Sequence, residues 1–192
     1  KESLIQVIDL IEQQNSRADE IVQKVRTYRK GKPTRDKEID LSLILKKAAD
    51  TITLSNEAAA TKLVCSVKEG VKVKGDPLEI ELLVVNLIKN ALEVVEGKEA
   101  GKVQVDLKTE GSVNQIIGSA NGDIQCEDDL RRLTGSFETT KKDGLGIGLS
   151  IVRGIAERHR GRIEFKVRNP HGLRVIVNIP KVNENEEKNP RC

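Results

Sequence analysis

Two asparagines stand four residues apart in the segment Glu81-Leu82-Leu83-Val84-Val85-Asn86-Leu87-Ile88-Lys89-Asn90-Ala91. At helical spacing an i, i+4 pair shares one face. Ile80, Leu83, Val84, Leu87 and Ala91 form the apolar stripe of the same helix. Amides buried beside such a stripe need partners. Mg²⁺ with phosphate oxygens would supply one, because this ion takes oxygen ligands and keeps its waters. The competing reading is two solvent-facing amides on an amphipathic helix. A second candidate is Gly144-Leu145-Gly146-Ile147-Gly148-Leu149-Ser150, with glycines at every second position. Glycine lets a backbone approach a phosphate, and a helix start offers free N–H groups. The spacing fits neither a Walker A loop nor the dinucleotide fingerprint. Alone, such a stretch is equally a turn.

These residues need a scaffold. Residues 77–96 read as one strong helix, and a further helix starts near Gly146–Gly148 and runs to about Arg160. Residues 40–52 are helical in pattern, with Leu41, Leu43, Ile44, Leu45, Ala48 and Ala49 apolar. Strands are expected at 61–67 and 71–74, as a pair at 103–107 and 113–118, and as a hairpin of 161–168 with 173–179 turning at Asn169-Pro170-His171-Gly172. Residues 121–143 are polar and irregular. Residues 1 to about 30 carry a heptad-like stripe of Leu4, Ile8, Ile11, Ala18, Val22 and Val25, which calls for a partner helix. Gly31-Lys32-Pro33 ends it, and the tail from Asn183 is polar.

The 192 residues leave room for one core and a helical appendage. Hydrophobic residues at 37% and charged residues at 33% describe a globular chain without a membrane-spanning run or signal peptide. A net charge of +3 and an aromatic content of 2% argue against nucleic-acid binding. Cys65, Cys126 and Cys192 lack metal-ligand spacing, and His159 and His171 are the two histidines. Neither a Cys/His metal site nor a disulfide framework follows, and a reducing cytoplasm fits. Cys65 reads as a small apolar strand residue.

Taken together and in order, the motifs resemble the GHKL ATPases, and within them the sensor histidine kinases. The match runs through Asn86 and Asn90, then Ala120-Asn121-Gly122, then the lid segment Ser136-Phe137-Glu138-Thr139-Thr140-Lys141, then Gly144 to Gly148. It continues through Ile151-Val152-Arg153 and Arg160-Gly161-Arg162-Ile163 to Ile179-Pro180. The resemblance implies a two-layer α/β sandwich, a mixed sheet covered by helices, preceded by a long N-terminal helix. It implies an ATP-binding catalytic domain over 38–181, with 1–33 as the second helix of a dimerisation and phosphoacceptor hairpin and 182–192 as a disordered tail. Asn15 to Val22, followed by Val25-Arg26, carries the hairpin resemblance. Neither histidine matches the phosphoacceptor, so a structural or surface role is expected for both, and no catalytic residue is assigned in this chain.

The implied cofactors are ATP and Mg²⁺. Asn90 would ligate the metal with help from Asn86, and Gly144, Gly146 and Gly148 would line the phosphates. Lys89 and Lys141 are candidate phosphate partners, and Thr139 and Thr140 order or cap the lid. Gly122, Leu145 and Leu149 complete the nucleotide set. Implied partners are a response-regulator receiver domain and a second copy through the N-terminal helix, with no nucleic acid and no membrane contact. The family reads Asp-Asn-Gly-Pro-Gly-Ile where this chain has Ala120-Asn121-Gly122-Asp123-Ile124-Gln125. Ala120 therefore stands where the family's aspartate accepts the adenine amino group, and Ile124 stands at a family glycine. Thr134 and Glu138 stand where the lid often has phenylalanine. Losing a hydrogen bond to a charged acceptor costs about 1.5–3 kcal/mol, roughly tenfold to hundredfold in affinity. A degenerate pseudokinase acting by dimerisation or partner binding is the alternative. A third reading is another GHKL protein, such as an anti-sigma kinase or a mismatch-repair or gyrase-type ATPase, against which the N-terminal helix argues.

Overall fold

In a computed structural model the described residues are 37–130 and 147–182. The expected N-terminal helix, the lid segment, Gly144 to Gly146 and the tail lie outside them. A five-stranded sheet runs in the order β2 (Leu63–Val67), β4 (Val103–Glu110), β5 (Val113–Ala120), β7 (Leu173–Pro180), β6 (Arg162–Val167). β2 is parallel to β4, and the other neighbours are antiparallel. A second, two-stranded sheet pairs β1 (Glu38–Asp40) with β3 (Lys72–Lys74). The helices are α1 (Leu41–Ser55), α2 (Glu57–Lys62), α3 (Pro77–Val94) and α4 (Ile147–Arg158).

Alternation decides which face of the sheet is covered. Val103, Val105 and Leu107, then Ile116 and Ala120, then Val175, Val177 and Ile179 are buried. They share one core with Leu45 and Ile52 of α1, Leu83, Val84 and Leu87 of α3, and Val152 and Ile155 of α4. Intervening residues such as Gln104 and Lys108 are polar and exposed, as a period of two requires for a half-buried strand. The result is the expected two-layer α/β sandwich.

Three of the described helices have a readable start. Asp76 caps α3, accepting from the Leu78 and Glu79 N–H groups at 2.9 and 3.3 Å, and Pro77 follows where its missing N–H is harmless. Asp40 caps α1 through the Leu43 N–H at 3.0 Å. Asn56 caps α2 through the Ala59 N–H at 3.1 Å. The structure departs from the sequence reading in places. The first strand expected over 61–67 begins at Leu63, because Asn56 and the alanines after it close a helical turn first. The three-residue β1 is too short to show alternation. Residues 127–130 are helical, although the segment from 121 reads as irregular; Asp129 reaches back to the Gln125 and Cys126 N–H groups at 3.1 and 3.3 Å. Cys65 is exposed on the edge strand rather than packed as an apolar residue. Partial burial of its thiol, then the nearby Asp50 and Asp106 carboxylates, push its pKa up.

α4 stops at a left-handed residue. The Arg160 N–H bonds to the Glu157 carbonyl at 3.0 Å and the Gly161 N–H to the Ala156 carbonyl at 2.8 Å, the paired bonds of a Schellman end. The left-handed position, with φ of 56°, is held by Arg160 and not by glycine. A side chain there costs about 1–2 kcal/mol. Part of that is returned by the lower backbone entropy of the unfolded chain relative to glycine, about 0.5–1 kcal/mol. Arg160→Gly is therefore expected to raise unfolding stability by about 0.5–1 kcal/mol, read as a higher urea midpoint at unchanged m-value. An unchanged or lower midpoint would contradict this reading of the turn.

Candidate nucleotide site

Asn86, Lys89 and Asn90 all lie on α3, and Asn90 lines a cleft with Gly118 and Ala120 of β5. Asn86 is 8% exposed, and its amide donates back to the Leu82 carbonyl at 2.8 Å, so the helix itself satisfies part of this side chain. Asn90 is different. Its Nδ2 is buried and has no hydrogen-bond partner among the described residues. Gly148 of α4 lies against it: a Cβ on Gly148 would stand 2.5 Å from Asn90 Oδ1 and 2.9 Å from Nδ2. A glycine at this point is thus what lets the two helices bring backbone and amide together. Lys89 is exposed, and Leu149 is half-buried beside Gly148.

Between α3 and the sheet is a narrow cleft lined by Leu87, Asn90, Ala91, Gly118, Ala120, Leu173 and Val175. Its enclosed part has room for about one water molecule, so a larger ligand has to widen it. Gly118 sets its floor, because any Cβ there would press on Leu87 at 3.2 Å. Ala120, the last residue of β5, is 1% exposed and contributes only a methyl. Ser119 points to the other face of the strand, where its Oγ faces Arg174 Nε at 3.4 Å. Asp123 does not replace the missing carboxylate; it is exposed and pairs with Lys98 at 2.9 Å.

The turn after β5 is pinned on both sides. Asn121 accepts from the Lys102 N–H at 2.5 Å and donates to the Ala100 carbonyl at 2.8 Å. On the other side the Gly172 N–H bonds to the Ile124 carbonyl at 2.7 Å. Gly172, at φ of 118°, leaves no space for a Cβ next to the Ala120 carbonyl, which would be 2.1 Å away. Gly122 is buried against Val94, whose Cγ1 would lie 2.6 Å from an added Cβ. Ile124 packs on the core without a left-handed backbone, so this turn does not use the flexibility expected of a glycine there.

His159 ties the far ends of the two site helices together. Its Nδ1 donates to the Ile155 carbonyl at 2.8 Å, and its Nε2 accepts from the Asp76 N–H at 3.2 Å. Gly75 makes room for the ring, since a Cβ would meet it at 2.5 Å. Arg158 adds an ion pair to Glu79 at 3.0 Å. Both ring nitrogens are occupied and the residue is 6% exposed, a structural role. His171 is exposed in the β6–β7 turn. The spacing alone did not show the His159 bridge, though the Asp76-Pro77 cap and the buried helix face are its local signals.

The residues present fit a hydrated Mg²⁺ shared with phosphates. An amide oxygen at Asn90 is a suitable hard ligand, and its unpartnered Nδ2 marks an amide not yet committed to the protein. Among the described residues no cluster of three His, Cys, Asp or Glu could hold a metal by itself. No described helix is long and apolar enough to cross a membrane.

This arrangement, a helix bearing a paired-asparagine face laid on a mixed sheet beside a glycine-started helix, defines an ATPase domain of the histidine kinase type. Residues 75–183 match the family model described as "Histidine kinase-, DNA gyrase B-, and HSP90-like ATPase", and the chain belongs to that family. Among its relatives is the sensor histidine kinase TmoS of Ectopseudomonas mendocina, 30% identical over 94% of this chain and 19% of that protein. The C4-dicarboxylate transport sensor protein DctB of Rhizobium meliloti is 32% identical over 59% of this chain and 18% of that protein. The chain spans between about a fifth and a third of the length of the curated relatives it matches. The nucleotide-free catalytic domain of histidine kinase ThkA superposes with a TM-score of 0.63 at 26% identity, covering 76% of this chain and 95% of that one.

Proposed function

We propose that this chain is the ATP-binding catalytic region of a two-component sensor histidine kinase working in the cytoplasm. It would pass the γ-phosphoryl of ATP to a histidine outside residues 1–192, from which a response-regulator receiver domain takes it onto an aspartate. Residues 38–181 would form the catalytic domain, and residues 1–33 would join a second copy through a helical hairpin. The observation that carries this reading is the apposition of Asn90 and Gly148, with the buried Asn90 Nδ2 lacking a partner among the described residues.

In this reading Asn90 presents its amide oxygen to Mg²⁺, and Asn86 supports the helix turn beneath it. Mg²⁺, when bound, offsets the charge of the phosphates. Gly144, Gly146 and Gly148 bring backbone N–H groups to the phosphate oxygens, with Leu145 and Leu149 between and beside them. Lys89 and Lys141 add positive charge, Thr139 and Thr140 order the lid, and Gly122 lets the turn after β5 pack closely on Val94 of α3 at the base end. Positioning and charge neutralisation supply most of the acceleration in phosphoryl transfer. The base end is weakened by Ala120.

Calorimetric titration with ATP, with and without Mg²⁺, tests the reading. The wild-type chain is expected to bind Mg-ATP, and Asn90→Ala to lose most of the Mg²⁺-dependent part of the affinity. A second reading, a pseudokinase that keeps the fold and acts by dimerisation or partner binding, is favoured by the methyl that Ala120 contributes to a hydrocarbon wall. No binding of Mg-ATP to the wild-type chain or to its Ala120→Asp variant would make it the better account.

A further inference from the structure

The wall of the cleft beyond Asn90 consists of Leu87, Ala91, Gly118, Ala120, Leu173 and Val175. None of these side chains has a hydrogen-bonding atom. The polar side chains nearest in sequence are committed elsewhere: Ser119 to Arg174, Asn121 to residues 100 and 102, Asp123 to Lys98. A bridging water is no substitute, because a held water needs two to four polar partners and this wall offers hydrocarbon. Asn90 is the exception, and its amide is turned to Gly148, the phosphate side of the proposed site.

Resting on the proposed nucleotide site, we infer that the wall formed by the described residues holds the base by apolar contact, without reading its exocyclic amino group. The consequence is a changed substrate class. A purine laid on a wall that cannot accept its amino N–H loses a hydrogen bond that it had with water, at about 1–3 kcal/mol. A purine without that group has no such bond to lose, while the ring nitrogens are common to both. Selection then runs by hydrophobicity, and the nucleotides accepted are purine triphosphates of low base polarity rather than ATP as such. Sites built to bond a polar group reject analogues lacking it by large factors, whereas apolar sites cannot. Here the expected order is purine riboside triphosphate, with hydrogen in place of the amino group, binding at least as tightly as ATP.

The test is a set of Mg²⁺-containing titrations with ATP and purine riboside triphosphate, on the wild-type chain, Ala120→Asp and Ala120→Asn. In the wild type the two dissociation constants should be equal, or the analogue's smaller. In Ala120→Asp the order should reverse, with ATP tighter by tenfold or more. Ala120→Asn, which supplies a neutral acceptor, should show a smaller reversal and covers the case in which a buried carboxylate prevents folding. A wild-type preference for ATP of tenfold or more overturns the inference while leaving the nucleotide site intact. If that preference disappears in Asn90→Ala, Asn90 is the reader and the inference fails for that reason. Binding of neither nucleotide to the wild type overturns the proposed function, and the inference with it.

Discussion

Ala120→Asp is expected to tighten ATP and ADP by roughly tenfold to hundredfold, by similar factors for both. The two nucleotides share the base, and the substitution acts at the base end only. The same variant is expected to be less stable when empty. Ala120 is 1% exposed in a hydrocarbon wall, so a carboxylate there stands unpaired and largely desolvated. A buried charge left without its partner destabilises by about 3–5 kcal/mol. The Tm of the empty variant should therefore fall. Saturating nucleotide should raise it by more than in the wild type, because ligand bound to the native state stabilises as RT ln(1 + [L]/Kd). Differential scanning calorimetry with and without Mg-ADP reads both effects. An unchanged nucleotide affinity together with a lowered Tm would mean that Ala120 does not face the base.

Gly148→Ala is expected to weaken Mg-ATP by roughly fivefold to a hundredfold without unfolding the domain. The new Cβ would stand 2.5 Å from Asn90 Oδ1, so the asparagine must swing away. Overpacking of this kind costs about 1–3 kcal/mol where neighbours are rigid. Here the clash is with the end of a flexible side chain, and alanine is favoured over glycine in a helix by about 1 kcal/mol. Stability should thus be nearly unchanged while the Mg²⁺-dependent part of binding is lost. Gly154→Ala on the same helix, where an added Cβ stands 3.4 Å from the Arg158 guanidinium, is the control and should leave affinity unchanged. Equal losses at Gly148 and Gly154 would indicate a general effect on α4 and not a site effect.

Most of the framework was legible because its periods are clean. Residues 77–96 carry a continuous helical stripe and β4 alternates cleanly, while β5 is a buried run beside it, so helix α3 and the strand pair follow from side-chain direction. What escaped was short or tertiary. β1 has three residues and exists only through β3, and α2 depends on the Asn56 cap. The sequence puts Asn86 and Asn90 on one helix face, with Asn90 as the ligand and Asn86 as its helper. The fold separates them, because Asn86 bonds back to Leu82 one turn below while Asn90 meets another helix. His159 could be read as structural, but its bond to Asp76 links residues 83 positions apart and no local pattern announces it. Gly118 and Leu173 gained a place in the cleft wall for the same reason, since strand order, not spacing, brings them to α3.

The central claim is that the cleft between α3 and the end of β5, with Gly148 against its Asn90, receives a magnesium nucleotide. Backbone amide shifts of the isotopically labelled chain, followed as Mg-ADP is added, test it most directly. The account predicts saturable shifts concentrated at residues 87–91, 118–122, 148–149 and 173–175. Shifts confined to other parts of the domain, or none at millimolar Mg-ADP, would contradict it.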